Sequence, residues 1–98
     1  MLTIDTIREL ITPVATELEL EKVILFGSYA RGDQRETSDI DIVLDSHGRL
    51  RGKHLFSAIY KIGRLFPVNA DIFEISEVKN PSQTYTAIQN EGVTVYER

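Results

Sequence analysis

Val23-Ile24-Leu25-Phe26-Gly27-Ser28, then ten residues, then Asp39-Ile40-Asp41-Ile42-Val43-Leu44-Asp45: the fold is decided in this stretch. Val23 to Phe26 is a short apolar run that stops at a glycine, the pattern of a strand buried on both faces. Asp39 to Asp45 alternates instead. Successive strand side chains point to opposite faces, so Ile40, Ile42 and Leu44 share one side while Asp39, Asp41, Val43 and Asp45 share the other. The segment between the strands is long enough for about two helical turns and a return. It predicts an adjacent pair of strands with the Gly-Ser bend brought beside the aspartates.

On the N-terminal side, Ile4, Ile7, Leu10, Ile11, Val14, Ala15 and Leu18 recur at three-and-four spacing, which predicts an amphipathic helix from Thr3 to about Leu20. Thr12-Pro13 inside it marks either a kink or a restart. On the C-terminal side, Leu55, Ile59, Ile62 and Phe66 form one helical stripe that Pro67 closes. Val68 to Ile75 reads as a further strand with Asp71 in its middle. Pro81-Ser82 opens a last helix through about Asn90, ended by Gly92, and Val93 to Tyr96 reads as a short edge strand. The order helix, strand, strand, helix, strand, helix, strand predicts an α/β (α+β) fold, a mixed sheet of about four strands backed by helices.

Composition bounds the function. A length of 98 residues is expected to hold one compact domain over 1–98. With 42% hydrophobic and 27% charged residues the chain is globular and not disordered. Its net charge of -4 weighs against a grip on nucleic acid through phosphate neutralisation, so no direct nucleic-acid partner is expected. The absence of cysteine excludes disulfides and thiolate metal sites. No run of 18 apolar residues and no leader-like start occur, so no membrane association and a cytoplasmic location are expected.

The chemistry sits in the opening stretch. Two aspartates two apart on a strand face the same way and can share a pair of divalent cations. Gly27 lets backbone approach a bulky ligand, and Ser28 offers a hydroxyl with the amides of a helix start, where a triphosphate tail would rest. Arg31, one turn after Ser28, would meet a phosphate oxygen or else pair with Asp33 or Glu36. Asp45 is expected to cap the strand end. Tyr29 reads as packed, without a catalytic role, and Phe56 and Tyr60 read as core and not as base-stacking residues.

Gly27-Ser28, ten residues, Asp39-Ile40-Asp41 resembles the G-S-x10-D-x-D signature of the minimal nucleotidyltransferase group, within the DNA polymerase beta-like nucleotidyltransferase superfamily. Leu25-Phe26 and Ala30-Arg31-Gly32 also look like that group. The resemblance implies the nucleotidyltransferase fold and a third carboxylate on a later strand, assigned to Asp71 ahead of its neighbour Glu74. It implies that Asp39, Asp41 and Asp71 bind two Mg²⁺ ions, and that ATP is the nucleotide substrate. Asp71 would favour deprotonation of the attacking hydroxyl. Antitoxin members of the group are of similar size and transfer AMP to a tyrosine of a HEPN toxin. The expectation is therefore a protein adenylyltransferase whose partner is a HEPN-type toxin. The oligomeric state stays open between homo- and hetero-oligomer. Two other readings stand beside it: a non-catalytic binding module that neutralises its partner by complex formation, and a small-molecule nucleotidyltransferase.

One competing signal is Arg49 with His54, whose Arg-x4-His spacing looks like the ribonuclease motif of HEPN toxins themselves. Those proteins are all-helical, and this chain alternates strands with helices. The expected reading of Arg49 to His54 is a solvated loop and helix start, open to contact with a phosphate or an acidic partner.

Overall fold

The structure, a computed structural model, describes residues 2–98. The elements are α1 (Ile4–Glu17), β1 (Lys22–Phe26), the short α2 (Ser28–Arg31), β2 (Ile40–Asp45), α3 (Gly52–Gly63), β3 (Ala70–Glu74), a 3-10 turn (Ile75–Glu77), α4 (Gln83–Glu91) and β4 (Val93–Glu97). The strands form one sheet in the order β3-β2-β1-β4. β1 is antiparallel to both neighbours, and β2 is parallel to β3. Parallel neighbours need a crossover, which α3 supplies. The expected mixed four-stranded α/β sheet is therefore what forms.

The alternation read from the sequence sorts the sheet into two faces. On the back, Ile7, Ile11 and Ala15 of α1 and Leu55, Ala58 and Ile62 of α3 pack on Val23, Leu25, Ile40, Ile42, Leu44 and Ile72. Burying each such Leu or Ile contributes about 1.5–3 kcal/mol, so this layer holds the fold together. On the front, α4 sets Ile88 over Phe26 and Val43. Asp39 and Asp71 remain exposed beyond it, with Asp41 half-buried.

Some boundaries differ from those read in the sequence. α1 continues through Pro13 without restarting, because Ile11 and Ala15 belong to one buried stripe and the ring lies on the exposed side. Packing there outweighs the roughly 3 kcal/mol that an interior proline costs. Thr3 caps the helix by accepting the Thr6 amide at 3.1 Å, and the helix ends at Glu17, three residues early. α3 stops at Gly63, before the proline expected to close it. The segment after Ser28 makes one helical turn, not two, and the rest is loop. Gly92 ends α4 in an ordinary extended conformation. A Cβ there would collide with the Ile88 carbonyl oxygen in the last turn of α4 and lie 2.8 Å from Ile24 Cγ2, so close approach of these two groups, and not left-handed geometry, requires the glycine.

Candidate active site

Asp41 is the register partner of Asp71 across the parallel β2–β3 pair and of Phe26 across the antiparallel β1–β2 pair. Neighbouring strands lie about 4.8 Å apart, so the two carboxylates leave the front face side by side. Asp39 immediately precedes β2, close enough for its charge to act on Asp41. Asn69 Nδ2 donates to Asp71 Oδ1 at 3.3 Å.

Gly27 joins this cluster to the bend. It is buried, with φ +75 and ψ -153. A Cβ built on it would lie 3.1 Å from Asp41 Cγ and collide with Oδ2. The backbone of the bend therefore rests against the Asp41 carboxylate, an approach open to glycine alone. Ser28 opens α2, whose first amides have no intrahelical acceptor. The Gly27 carbonyl accepts from the Ala30 and Arg31 amides at 3.1 and 3.0 Å, which fixes the turn.

Burial is the main cause that lifts the Asp41 carboxyl above its ordinary value, followed by the negative charges of Asp71 and Asp39, and Arg31 opposes them. A half-buried carboxylate facing two more is a place where a cation lowers the energy. Among the described residues no group of three acidic, histidine or cysteine side chains stands close enough to enclose an ion. Magnesium takes hard oxygen donors and is commonly held by one or two carboxylates together with substrate phosphates, without a closed protein cage.

Arg31 is already engaged. Its Nε donates to Asp33 Oδ2 at 3.0 Å, and Nη1 donates to Glu91 Oε1 and Oε2 at 3.1 and 3.0 Å. The pairing with Asp33 was one of the readings open from the sequence; Glu36 is not a partner, and Glu91 was not foreseen. No local signal in the sequence points to Glu91, because only the sheet order brings the end of α4 beside α2. Nη2 keeps no hydrogen bond among the described residues.

Glu74, the alternative third carboxylate, lies on the other face. Asp71 and Phe73 point forward, so Ala70, Ile72 and Glu74 point back. Glu74 is 1% exposed. Its Oε2 accepts the Ser46 amide at 2.9 Å and the Ser46 hydroxyl, and Oε1 accepts the Ser76 amide at 2.8 Å. Burial pushes its carboxyl up, but these bonds from Ser46 and Ser76 outweigh it and hold the group below its ordinary value. It ties β3 to the end of β2.

Other readings divide. Tyr29 is packed in the core as expected, and Asp45 Oδ1 accepts the His47 amide at 3.0 Å, capping the strand. Phe56 and Tyr60 are not core: they are 74% and 64% exposed. At 100° per residue they fall opposite Leu55, Ala58 and Ile62, a signal already present in the sequence. Arg49 Nη2 donates to the Leu18 and Glu19 carbonyls at 3.2 and 2.6 Å, closing the C-terminal end of α1. Arg49 thus holds backbone, and the Arg-x4-His spacing sits in a chain built on a four-stranded sheet, unlike the all-helical proteins whose motif it resembles.

The nucleotidyltransferase domain family matches residues 7–93. A Methanocaldococcus jannaschii protein provisionally named a protein adenylyltransferase is 31% identical over 85 residues, covering 83% of this chain and 87% of that protein. A solved toxin-antitoxin with AMP-PNP superposes with a TM-score of 0.78 at 19% identity, covering 93% of this chain and 73% of that one. The solved complex of a tri-AMPylated Shewanella oneidensis HEPN toxin with an MNT antitoxin gives 0.73 at 15% identity, covering 98% and 74%. At those identities the two structures speak for the fold. With the family match spanning most of its length and a relative above 30% identity over four-fifths of it, the chain belongs to the nucleotidyltransferase domain family.

Proposed function

We propose that this nucleotidyltransferase is the antitoxin of a toxin-antitoxin pair and transfers AMP from ATP to a tyrosine hydroxyl of a HEPN-type toxin. One observation carries the proposal: Asp41 faces Asp71 across paired strands while the Gly27 bend rests against the Asp41 carboxylate. A phosphate tail on the bend is thereby adjacent to the acidic pair. The fold shared with toxin-antitoxin complexes, one of them with AMP-PNP and one with an AMPylated toxin, favours this acceptor over a small molecule.

In this reading Gly27 and Ser28 receive the triphosphate and Arg31, through its free Nη2, turns toward it. Asp39, Asp41 and Asp71 would hold two Mg²⁺ ions, which when bound neutralise phosphate charge. Asp71, on the edge strand, faces the incoming hydroxyl and favours loss of its proton. The tyrosine oxygen attacks the α-phosphorus in line, a P–O bond forms, the bond to the β-phosphate bridge breaks, and pyrophosphate leaves. Holding the two reactants in line can supply about 7–11 kcal/mol of the barrier, beside the charge stabilisation the site provides.

The test is transfer of label from α-labelled ATP, with Mg²⁺, to the protein encoded by the neighbouring gene. Labelled tyrosine is expected, and Asp39→Ala with Asp41→Ala should abolish it. Equal labelling by the double variant would end the proposal. Calorimetry with ATP and Mg²⁺ separates a non-catalytic antitoxin, which would give no metal-dependent heat.

A further inference from the structure

Among the described residues, the two most exposed large hydrophobic side chains, Phe56 at 74% and Tyr60 at 64%, lie on the same helix, α3, four residues apart. With Leu55, Ala58 and Ile62 turned into the core, the outward line of α3 reads Lys53, Phe56, Ser57, Tyr60, Arg64. A helix face that only meets water is normally covered by charged and small polar residues. This one is built of two aromatics between two cations. The Arg64 guanidinium sits over the Tyr60 ring, 5.4 Å from its centroid. Beside it a groove of about 480 Å³ runs between α1 and α3, lined by Val14, Glu17, Tyr60, Lys61, Arg64 and Leu65. Lys61 spans the two helices through Glu17 at 2.7 Å, so Lys53 and Arg64 are the cations of this face without an acidic partner among the described residues.

Charge is segregated around it. From Ser46 to Ala70 there is no acidic residue, while five of the eleven lysines and arginines (Arg49, Arg51, Lys53, Lys61, Arg64) and both histidines fall there. That stretch carries +5, and because the whole chain carries -4, the remainder carries -9. Exposed aromatic and arginine side chains are the groups that concentrate binding energy in protein interfaces.

We infer that the outward face of α3 is a docking surface for a second protein, one presenting apolar side chains ringed by acidic ones. Charge selects this occupant. A second copy placed face to face on α3 would oppose two basic stretches, which like-charge repulsion disfavours. A nucleic acid would meet few free cations on a chain whose remainder repels phosphate. An acidic protein surface meets complementary charge and finds anchors in Phe56 and Tyr60. The location suits a protein acceptor. α3 packs behind β3, and β3 is the edge strand from whose front face Asp71 projects. A partner held on the outward face of α3 lies behind the sheet, leaves the front-face carboxylates uncovered, and reaches them by extending a segment around the β3 edge.

The inference takes its partner from the proposed function, and binding separates the two. Calorimetry without ATP would titrate the protein encoded by the neighbouring gene into four forms: wild type, Asp41→Ala/Asp71→Ala, Phe56→Ser/Tyr60→Ser, and Lys53→Glu/Arg64→Glu. Wild type and the carboxylate variant should bind alike, and both α3 variants should weaken binding tenfold or more while keeping the wild-type melting profile and ATP affinity. With labelled ATP, the α3 variants should raise KM for the protein acceptor more than they lower kcat. Equal binding by all four forms would overturn the docking surface and leave the transferase reading intact. Labelling without measurable binding would overturn it too, and no binding with no labelling would overturn both. Saturable binding of a 20-nucleotide single strand lost in Lys53→Glu/Arg64→Glu would replace it with a nucleic-acid site. A sedimenting dimer lost in Phe56→Ser/Tyr60→Ser would replace it with self-association.

Discussion

Gly27→Ala tests the geometry on which the site rests. Two separable penalties are expected. The first is conformational: at φ +75 and ψ -153 the residue occupies a region essentially restricted to glycine, where a side chain costs about 1–3 kcal/mol. The second is steric: the new methyl would lie 3.1 Å from Asp41 Cγ and overlap Oδ2, so the Asp41 carboxylate must move. Contacting residues couple by about 0.5–3 kcal/mol. The sum is a sizeable fraction of the stability of a small domain, roughly 5–15 kcal/mol. The measurement is a double-mutant cycle by urea denaturation over wild type, Gly27→Ala, Asp41→Ala and Gly27→Ala/Asp41→Ala. Truncating Asp41 leaves only its Cβ, 3.4 Å away, an ordinary contact. The double variant should therefore recover the steric share and keep the conformational one. In folded Gly27→Ala protein, displacing the carboxylate by about 1 Å should lower AMP transfer on the order of 100-fold. Effects additive within about 0.5 kcal/mol would show that the bend does not press on Asp41. Wild-type stability of the single variant would refute the backbone conformation as well.

Asp41→Asn removes one of two charges directly opposed across β2 and β3, a repulsion of about 0.2–1 kcal/mol. The metal-free variant should melt about 1–8 °C above wild type while losing transfer, and a lower melting temperature would contradict the repulsion. Because burial, Asp71 and Asp39 raise the Asp41 carboxyl, native protein holds more protons than unfolded protein as pH falls. Its contribution is fully present below the unfolded value and lost as pH rises through the folded one, so the melting advantage of Asp41→Asn should grow from pH 4 to pH 8; a constant difference would reject this. Glu74→Gln should destabilise by about 1.5–3 kcal/mol in urea, as expected for a charged acceptor lost from a buried network, with transfer per folded molecule unchanged. Since the Glu74 carboxyl is lowered, its share of stability is present above the unfolded value and lost as pH falls through the folded one. The acid limb of the stability profile should flatten in the variant, and an unaltered limb would contradict the assignment.

Much of this was legible because a strand has a period of two. Val23 to Phe26 and Asp39 to Asp45 declare their partners, and the sheet pairs them as read. The same period excludes Glu74 from the cluster: residues three apart on a strand face opposite ways, so Asp71 and Glu74 cannot serve one site. Helical periodicity likewise turns Phe56 and Tyr60 away from the core that Leu55, Ala58 and Ile62 build. What was not legible depends on elements far apart in the chain. The Glu91 partner of Arg31 is 60 residues away, and Ser46 finds Glu74 across 28. Pro13 misleads for a related reason, since local propensity weakens the helix there and the buried faces of its neighbours restore it.

The sheet uses its carboxylates in two opposed ways, and the opposition separates structure from chemistry. On the back, Glu74 is buried and given three hydrogen-bond donors, so its charge is satisfied by the protein and is lost to anything else. On the front, Asp41 is half-buried against Asp71 and Asp39 with no donor of its own among the described hydrogen bonds, so its charge is left for something the chain does not supply. A fold selected for stability alone would have no reason to oppose Asp41 with Asp71 and to press a bend bare of side chain against the pair. In the proposed reading, cations and a phosphate tail would relieve both tensions at once, and the arrangement expected to weaken the metal-free domain would be the one that serves nucleotidyl transfer.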